Sequence, residues 1–542
     1  MRLLQRDSNG DLSLTRFSEG SIPPYAILSH RWGGDHEEVT LEEITNGTEE
    51  RKHGYTKIRQ CGQQAAQDGL DYFWVDTCCI DKEDPTELSQ SINSMFLWYR
   101  NAAKCYVYLS DVYEISTDGE NKTDSPHWKV EFRRSEWFRR GWTLQELLAP
   151  STVIFFSRFW KKIGDKTSLK REIGEITGIP ESALEGARLS SFTHQERFFW
   201  MQERQTKKAV DKAYALLGIF GVRMALNYDE SVKSAYKRLQ EEINQSKRCL
   251  RDLRLTDPRH DKSRIEHTKG GLLKDSYSWI LRNPEFRQWA DSHRSQLLWV
   301  KGDPGKGKTM LLCGIIDELE KTIPSTSLIA YFLCQATEPG LNNATAVLRG
   351  LLYLLVDQQS SLGYHLEVEY NRAGKSLFED INAWFVLRKM ISNVLQDPSI
   401  QFSHLIIDAL DECMIDRQRL LEFIVEQSTT SRIKWILSSR NWPEIEQQLA
   451  AAKHGVRLSL ELNSHSIAAA VNIFIQQKVE ELRRTNGYDA ETVQLVHRHL
   501  SLNTNDTFLW VALVCQGLGA VRKRHVRKRL SDMPPGLDSL YK

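Results

Sequence analysis

Gly302-Asp303-Pro304-Gly305-Lys306-Gly307-Lys308-Thr309 follows the apolar run Leu297–Val300 and precedes an apolar helical stretch reaching Leu319. The pattern GxxxxGK[ST] between a strand and a helix requires an α/β sheet with the loop at its C-terminal edge. Glycines at 302, 305 and 307 let the backbone wrap closely round a phosphate, with N–H groups pointing inward. The helix starting near Gly307 aims its positive dipole end at the same anion. Lys308 is then placed to reach the β- and γ-phosphates of ATP or GTP, and the Thr309 hydroxyl to ligate Mg²⁺.

Further along, Leu405-Ile406-Ile407-Asp408 reads as an apolar strand ending in a carboxylate, where a second Mg²⁺ ligand belongs. Small Ala409 follows, then Asp411-Glu412. Glu412 is the candidate for orienting or polarising the attacking water, with Asp411 helping to position the metal shell. The next strand, Trp435–Ser438, leads to Arg440, 32 residues after Asp408 (440 − 408), where a cation sensing the γ-phosphate would sit.

A chain of 542 residues exceeds what one hydrophobic core supports, so two or three domains are expected. Hydrophobic residues at 41% and charged residues at 26% place it among soluble globular chains. A net charge of +1 offers no global attraction to nucleic acid or a membrane surface. The start, MRLLQRDSNGDLS, has no apolar stretch that reads as a secretory signal. The most apolar helical run, Ala346–Val356, is short and interrupted by Arg349, whereas a membrane span needs about 20 apolar residues. Nine cysteines without a CxxC pair argue for reduced thiols in the cytoplasm and against a structural zinc site.

The amino-terminal region alternates strand-like Tyr25–Ser29, Tyr72–Val75, Cys105–Leu109 and Val153–Phe156 with helical patterns such as Ile92, Met95, Phe96 and Tyr99. That alternation predicts a parallel sheet covered on both faces. Val232, Ala235, Tyr236, Leu239 and Ile243 form one helical stripe, and the charged stretch 247–268 is the linker candidate. The expected organisation is 1–225, 226–270 as a helical and charged linker, 271–465 as the P-loop domain, and 466–542 as a helical segment that is either truncated or the end of a short gene product.

The pattern of an apolar strand ending in Asp408, then Ala409 and Asp411-Glu412, resembles the NACHT class of signal-transduction NTPases. The resemblance covers roughly 272–518, and Gln335-Ala336-Thr337 and Phe508-Leu509-Trp510-Val511 are similar to fungal members. It implies slow hydrolysis used as a switch, with nucleotide exchange coupled to homo-oligomerisation. Residues 25–32 (YAILSHRW), 72–82 (YFWVDTCCIDK) and 135–148 (SEWFRRGWTLQELL) resemble, in order and spacing, the heterokaryon-incompatibility (HET) domain of filamentous fungi. Asp211–Gly218 continues that pattern. A HET domain before a NACHT domain looks like a fungal NOD-like receptor of vegetative incompatibility and programmed cell death, acting with an incompatibility partner protein.

HET domains are distantly similar to flavodoxin-like TIR modules, some of which cleave the nicotinamide–ribose bond of NAD⁺ with one glutamate. On that resemblance Glu146 is the candidate, because a nearby carboxylate stabilises an oxocarbenium-like state. Ser29, His30, Arg31 and Trp32 would line the pocket, and Asp76 ends a neighbouring strand. Each has a plainer reading. Glu146 can pair with Arg140, His30 can be structural, Asp76 and Asp81 can cap helices, and Trp32, Trp74, Trp137 and Trp142 can be core. The basic run Arg522–Arg529 reads as a solvated helix face rather than a nucleic-acid site. The HET domain is then either an NAD⁺-cleaving enzyme or a module that only recruits partners.

Overall fold

The computed structural model describes residues 1–7, 10–18, 21–34, 36–48, 52–113, 127–292, 296–324, 327–400, 402–428, 433–452 and 455–540. It divides into two units, Met1–Cys249 with Asp357–Val368, and Leu250–Val356 with Glu369–Lys542.

The first unit is built on seven strands: β1 (Arg2–Arg6), β2 (Leu12–Arg16), β3 (Tyr25–His30), β4 (Tyr72–Trp74), β5 (Lys104–Tyr108), β6 (Val153–Phe156) and β7 (Lys162–Asp165). Their order is β2-β1-β4-β3-β5-β6-β7. The central four, β4-β3-β5-β6, run parallel. Counted along the parallel strands alone this is 2-1-3-4, the flavodoxin-like arrangement that the resemblance implied. All six residues of β3 are buried, as an unbroken apolar strand covered on both faces must be. Helix Tyr55–Gln67 carries the chain from β3 to β4, burying Ile58, Cys61 and Ala65. Helix Pro85–Asn101 carries it from β4 to β5, opened by the Asp84 side chain, which accepts from Thr86 and Glu87 N–H, and by Pro85 in the first turn. The antiparallel hairpin β1-β2 and strand β7 extend the two edges.

The second unit has five strands, β8 (Gln296–Lys301), β9 (Ser327–Leu333), β10 (Phe402–Asp408), β11 (Ile433–Ser439) and β12 (Gly455–Ser459). All are parallel, in the order β12-β8-β11-β10-β9. Strand β11 lies between β8 and β10, so the loops leaving these three strands open on one sheet edge. Helix Ala344–Gln358 is buried along nearly its whole length, Arg349 included. That guanidinium is satisfied: it donates to the carbonyls of Leu253 at 2.7 Å, Asp252 at 2.7 Å and Phe378 at 3.2 Å. The helices Ser464–Asn486, Ala490–Asn503 and Phe508–Gly519 follow the sheet.

Residues 226–270 hold the helices Val232–Leu253 and Pro258–Thr268. Some of the charges in this stretch are partnered; Lys262 Nζ lies 2.6 Å from both Asp317 and Glu266. Among the described residues no helix is long and apolar enough to cross a membrane.

Candidate functional site

The phosphate loop sits between β8 and helix Lys308–Thr322. Gly305 (φ 77°) and Gly307 (φ 82°) both take the left-handed backbone that a side chain resists, which is why this turn requires glycine there. Lys308 Nζ donates to the Gly302 carbonyl at 2.5 Å and the Asp303 carbonyl at 3.0 Å, folding back over its own loop. Burial holds this ammonium below the ordinary lysine value, an effect that Asp411 and Asp408 oppose. Thr309 is the second residue of the helix. The loop is braced from outside by Glu461, which accepts from Asp303 N–H at 2.7 Å, and by Asn441, which donates to the Asp303 side chain at 3.1 Å. Pro304 is exposed at the tip.

Opposite, Asp408 ends β10 as a buried carboxylate whose Oδ1 accepts from the Ser438 hydroxyl at 2.5 Å. Ser438 Oγ accepts in turn from Ala409 N–H at 2.8 Å. Ala409 has φ 53°, so the small residue after the strand answers a left-handed backbone. Asp411 is buried and grips Arg440 twice, accepting from Arg440 N–H at 3.0 Å and pairing with its Nε at 2.9 Å. Arg440, the candidate γ-phosphate sensor, is engaged by Asp411 in this structure. Glu412 is half-buried and accepts from Ala336 N–H at 3.1 Å.

A further element closes on the loop from the carboxyl-terminal helices. Lys306 Nζ donates to the Asn505 carbonyl at 3.0 Å, and Leu509 N–H to the Gly305 carbonyl at 3.4 Å. A Cβ on Gly305 would meet Thr507 at 2.6 Å, and one on Gly307 would meet the Phe508 ring at 2.9 Å. Asn505 and Asp506 both adopt positive φ, 48° and 55°, in the turn that delivers these residues. Sequence reasoning recognised Phe508–Val511 only through a resemblance and missed Ser438, Asn441, Glu461 and Asn505 altogether. None of the four has a spacing signal: Asn441, Glu461 and Asn505 reach the loop from separate segments of the chain, and Ser438 reaches Asp408 instead.

In the first unit, β3 sits where the strand order reverses, and its C-terminal end carries Ser29 and His30. Trp137 Nε1 donates to Ser29 Oγ at 2.9 Å, and Ser29 donates to Glu146 Oε2 at 2.5 Å. Glu146 lies in the short helix Thr143–Leu148 and is only 4% exposed. Burial pushes its carboxyl up to about 8, reinforced by Asp76, while Ser29, Arg140 and Arg204 pull the other way. The plainer reading of an ion pair is not met, since Glu146 forms none with Arg140 among the described residues, and burial favours its protonated form. Arg140 and Lys82 instead stand over the Trp32 ring, at 5.1 and 3.9 Å from its centre. Trp32 Nε1 donates to Asp76 Oδ2 at 2.8 Å.

Buried His30 lies between two carboxylates, Nε2 3.6 Å from Glu38 and Nδ1 3.8 Å from Asp76, neither a hydrogen bond. Burial lowers its pKa, with Lys57 adding to the effect. Burial alone would raise the Glu38 carboxyl, but His30 and Lys57, the latter at 2.6 Å, hold it well below the usual range. Glu38 and Lys57 carried no sequence signal. Trp74 and Trp137 are fully buried core residues, whereas Trp32 and Trp142 are half-buried and hydrogen-bond to Asp76 and Asp211. Arg31 is exposed.

Comparison with known proteins agrees with both halves. The heterokaryon incompatibility protein (HET) family model matches residues 25–119, and the Nephrocystin 3, N-terminal model matches 275–440. The chain is 54% identical over 545 residues to Vegetative incompatibility protein HET-E-1 of Podospora anserina. That alignment takes in 100% of this chain and 40% of the relative, so the chain spans less than half the relative's length. Among solved structures, Drosophila ORC bound to DNA covers 49% of this chain and 70% of its own at 15% identity and TM-score 0.31. C. elegans PCH-2 covers 50% and 67% at 11% identity and TM-score 0.24. The two family models and the 54% relative make the chain similar along its whole length to a vegetative incompatibility protein, with a HET-family match inside its first unit and a Nephrocystin 3 N-terminal match largely within its second.

Proposed function

We propose that the chain is a nucleotide-switched signalling receptor of vegetative incompatibility and programmed cell death, working in the cytoplasm. The observation that carries this reading is the convergence of the phosphate loop, Asp408, the Asp411–Arg440 pair and Glu412 on one sheet edge, in a chain that also holds a HET domain. Lys308 exchanges the carbonyls of Gly302 and Asp303 for the β- and γ-phosphates of ATP or GTP. The Thr309 hydroxyl and the buried Asp408 carboxylate are hard oxygen donors of the kind Mg²⁺ prefers. Mg²⁺ held there would supply charge neutralisation for the phosphates. Ser438 fixes the Asp408 carboxylate in one orientation, and Ala336 does the same for Glu412, which orients the attacking water. Arg440 is released from Asp411 when a γ-phosphate competes for it, which makes the pair a sensor of the triphosphate. Slow hydrolysis then sets how long the chain stays competent to oligomerise and bring HET domains together.

The test is Lys308→Ala. Wild-type protein should bind a fluorescent triphosphate and enlarge in light scattering with a non-hydrolysable one; the variant should do neither while keeping its circular dichroism. A variant that binds as tightly as wild type removes this reading.

A second reading concerns the first unit, and what favours it is a buried carboxyl beside Ser29 at the point where the strand order reverses. Clustered HET domains would cleave NAD⁺, with Glu146 ionising as clustering opens its surroundings and then stabilising the oxocarbenium-like state. Nicotinamide release by artificially clustered protein should fall on the order of 10²-fold in Glu146→Gln. Clustered wild type that never consumes NAD⁺ leaves the HET domain as a recruiting module.

A further inference from the structure

The loops leaving β3 and β4 lie on one sheet edge, since the two neighbouring strands run parallel. They carry polar atoms that the fold leaves without partners. Both ring nitrogens of His30, Oε2 of Glu38 and Oδ1 of Asp76 are buried and make no hydrogen bond among the described residues. Folded chains satisfy about nine in ten such atoms, with protein or with ordered water. Four orphans facing one another across gaps of 3.6 and 3.8 Å therefore mark a place for a polar ligand or for water. The other oxygen of each carboxylate is fixed. Asp76 Oδ2 accepts from Trp32 Nε1 at 2.8 Å, and Glu38 Oε1 from Lys57 Nζ and Gly33 N–H, both at 2.6 Å. The Asp76 side chain is 16% exposed, which leaves a way in past its carboxylate.

Trp32 joins this group to a cationic surface. Lys82 Nζ and the Arg140 guanidinium stand on its ring, as described above. Lys82 is exposed, and Trp32 and Arg140 are half-buried, so the group opens to solvent. Neither cation forms an ion pair or donates a side-chain hydrogen bond among the described residues, and Arg140 Nε is itself buried without a partner. An indole face is a weaker partner for a full charge than an anion is.

We propose that this end of the first unit binds a phosphorylated sugar, with Lys82 and Arg140 taking the phosphate and the gap between Asp76 Oδ1 and His30 Nδ1 taking a sugar hydroxyl. The chemistry selects that class of ligand. An ionised carboxylate oxygen only accepts, so whatever fills Asp76 Oδ1 must bring an O–H donor. The imidazole beside it offers either a donor or an acceptor, and a hydroxyl answers both. A hydroxyl oxygen about 2.8 Å from each atom fits across the 3.8 Å gap. Two unpaired cations on the same indole call for negative charge in the same molecule. Pyrophosphate alone would satisfy only the cations, and an uncharged sugar only the gap. Ligands of open α/β sheets bind at this edge, outside the carboxyl ends of the strands. The choice of a ribose phosphate as ligand rests on the NAD⁺ reading above; the orphaned atoms and the unpaired cations do not.

The test titrates ADP-ribose and, separately, inorganic pyrophosphate into the full chain by calorimetry. The chain carries Lys308→Ala, which takes the phosphate loop of the second unit out of the measurement. ADP-ribose should bind one to one, and Arg140→Ala and Lys82→Ala should each weaken it on the order of 10-fold. Asp76→Asn keeps an acceptor for Trp32 but loses the anionic oxygen facing His30. It should weaken ADP-ribose on the order of 10-fold and leave pyrophosphate unchanged. Lys82 is exposed, so its variant reports on the site even if Arg140→Ala disturbs the fold. The proposal is overturned if ADP-ribose does not bind, which would leave water only at the orphaned atoms. It is equally overturned if binding ignores both cation variants, or if pyrophosphate binds as tightly as ADP-ribose and Asp76→Asn changes neither. Binding that responds to these variants, in a clustered chain that releases no nicotinamide from NAD⁺, counts against cleavage and not against the site. Nicotinamide release that both cation variants leave undiminished counts against the site and not against Glu146.

Discussion

Glu146→Gln should stabilise the first unit near neutral pH, and the gain should vanish in mild acid. The carboxyl is only 4% exposed, and burial lifts its pKa from 4.5 to about 8. An acid whose pKa is higher folded than unfolded gives its full stability below the unfolded value and loses it as pH rises toward the folded value. Between pH 4.5 and 8 the unfolded chain ionises while the folded unit stays protonated, which costs up to about 5 kcal/mol, 3.5 pKa units at about 1.36 kcal/mol each. At pH 7 the cost is about 3 kcal/mol, and at pH 5 it is below about 1 kcal/mol. Glutamine keeps an acceptor for Ser29 and cannot ionise, so it escapes this cost. Urea titrations of the full chain at pH 5, 7 and 8, read by pulsed hydrogen exchange in β3 and helix Thr143–Leu148, measure the difference. A variant less stable than wild type at pH 7, or a gain that persists undiminished at pH 5, refutes the reasoning. The first result would mean that Glu146 is held as an anion by Arg140 and Arg204, and the second that the gain comes from packing rather than from the carboxyl's ionisation.

Glu412→Gln should bind triphosphate normally, hydrolyse it on the order of 10²-fold more slowly in single turnover, and remain assembled longer by light scattering. Ser438→Ala frees Asp408 Oδ1 and leaves Ala409 N–H without its acceptor, so Mg²⁺-dependent nucleotide affinity should drop while stability falls by about 1–3 kcal/mol in urea unfolding. Arg440→Ala strips buried Asp411 of its ion-pair partner and should destabilise the second unit by about 3 kcal/mol, as seen in its melting temperature.

The phosphate loop was legible because its chemistry leaves few choices of residue: two glycines at positive φ, a lysine and a threonine, in fixed order. Strands β8 to β11 were equally plain, since parallel strands covered on both faces read as unbroken apolar runs. The hairpin β1-β2 was not read, although Asn9-Gly10 between its strands is a turn signal, because these partly exposed strands carry a weak apolar alternation. In the 226–270 region, charges remote in sequence find each other once the helices form, as Lys262 does with Asp317, and composition alone does not show which. Tertiary pairings of this kind, including Asp411 with Arg440 and Glu38 with Lys57, leave no periodic trace. Glu146 was found by resemblance alone, and its burial was invisible in a helix whose six residues are all enclosed.

The element that rests on the phosphate loop has a consequence for time rather than affinity. Lys306 is held by Asn505, Gly305 by Leu509, and Gly307 is roofed by Phe508, which itself leans on Phe474 with ring centres 5.5 Å apart. A nucleotide seated under such a roof leaves only when the roof lifts, so its dwell time is written into residues two hundred positions downstream of the loop. Trimming the roof, as Phe508→Ala would, shortens that dwell without touching a single phosphate contact, and stop-flow release of a fluorescent diphosphate would register the shortened interval directly. The residues that set dwell time and those of the phosphate cradle are thus separate parts, open to separate adjustment.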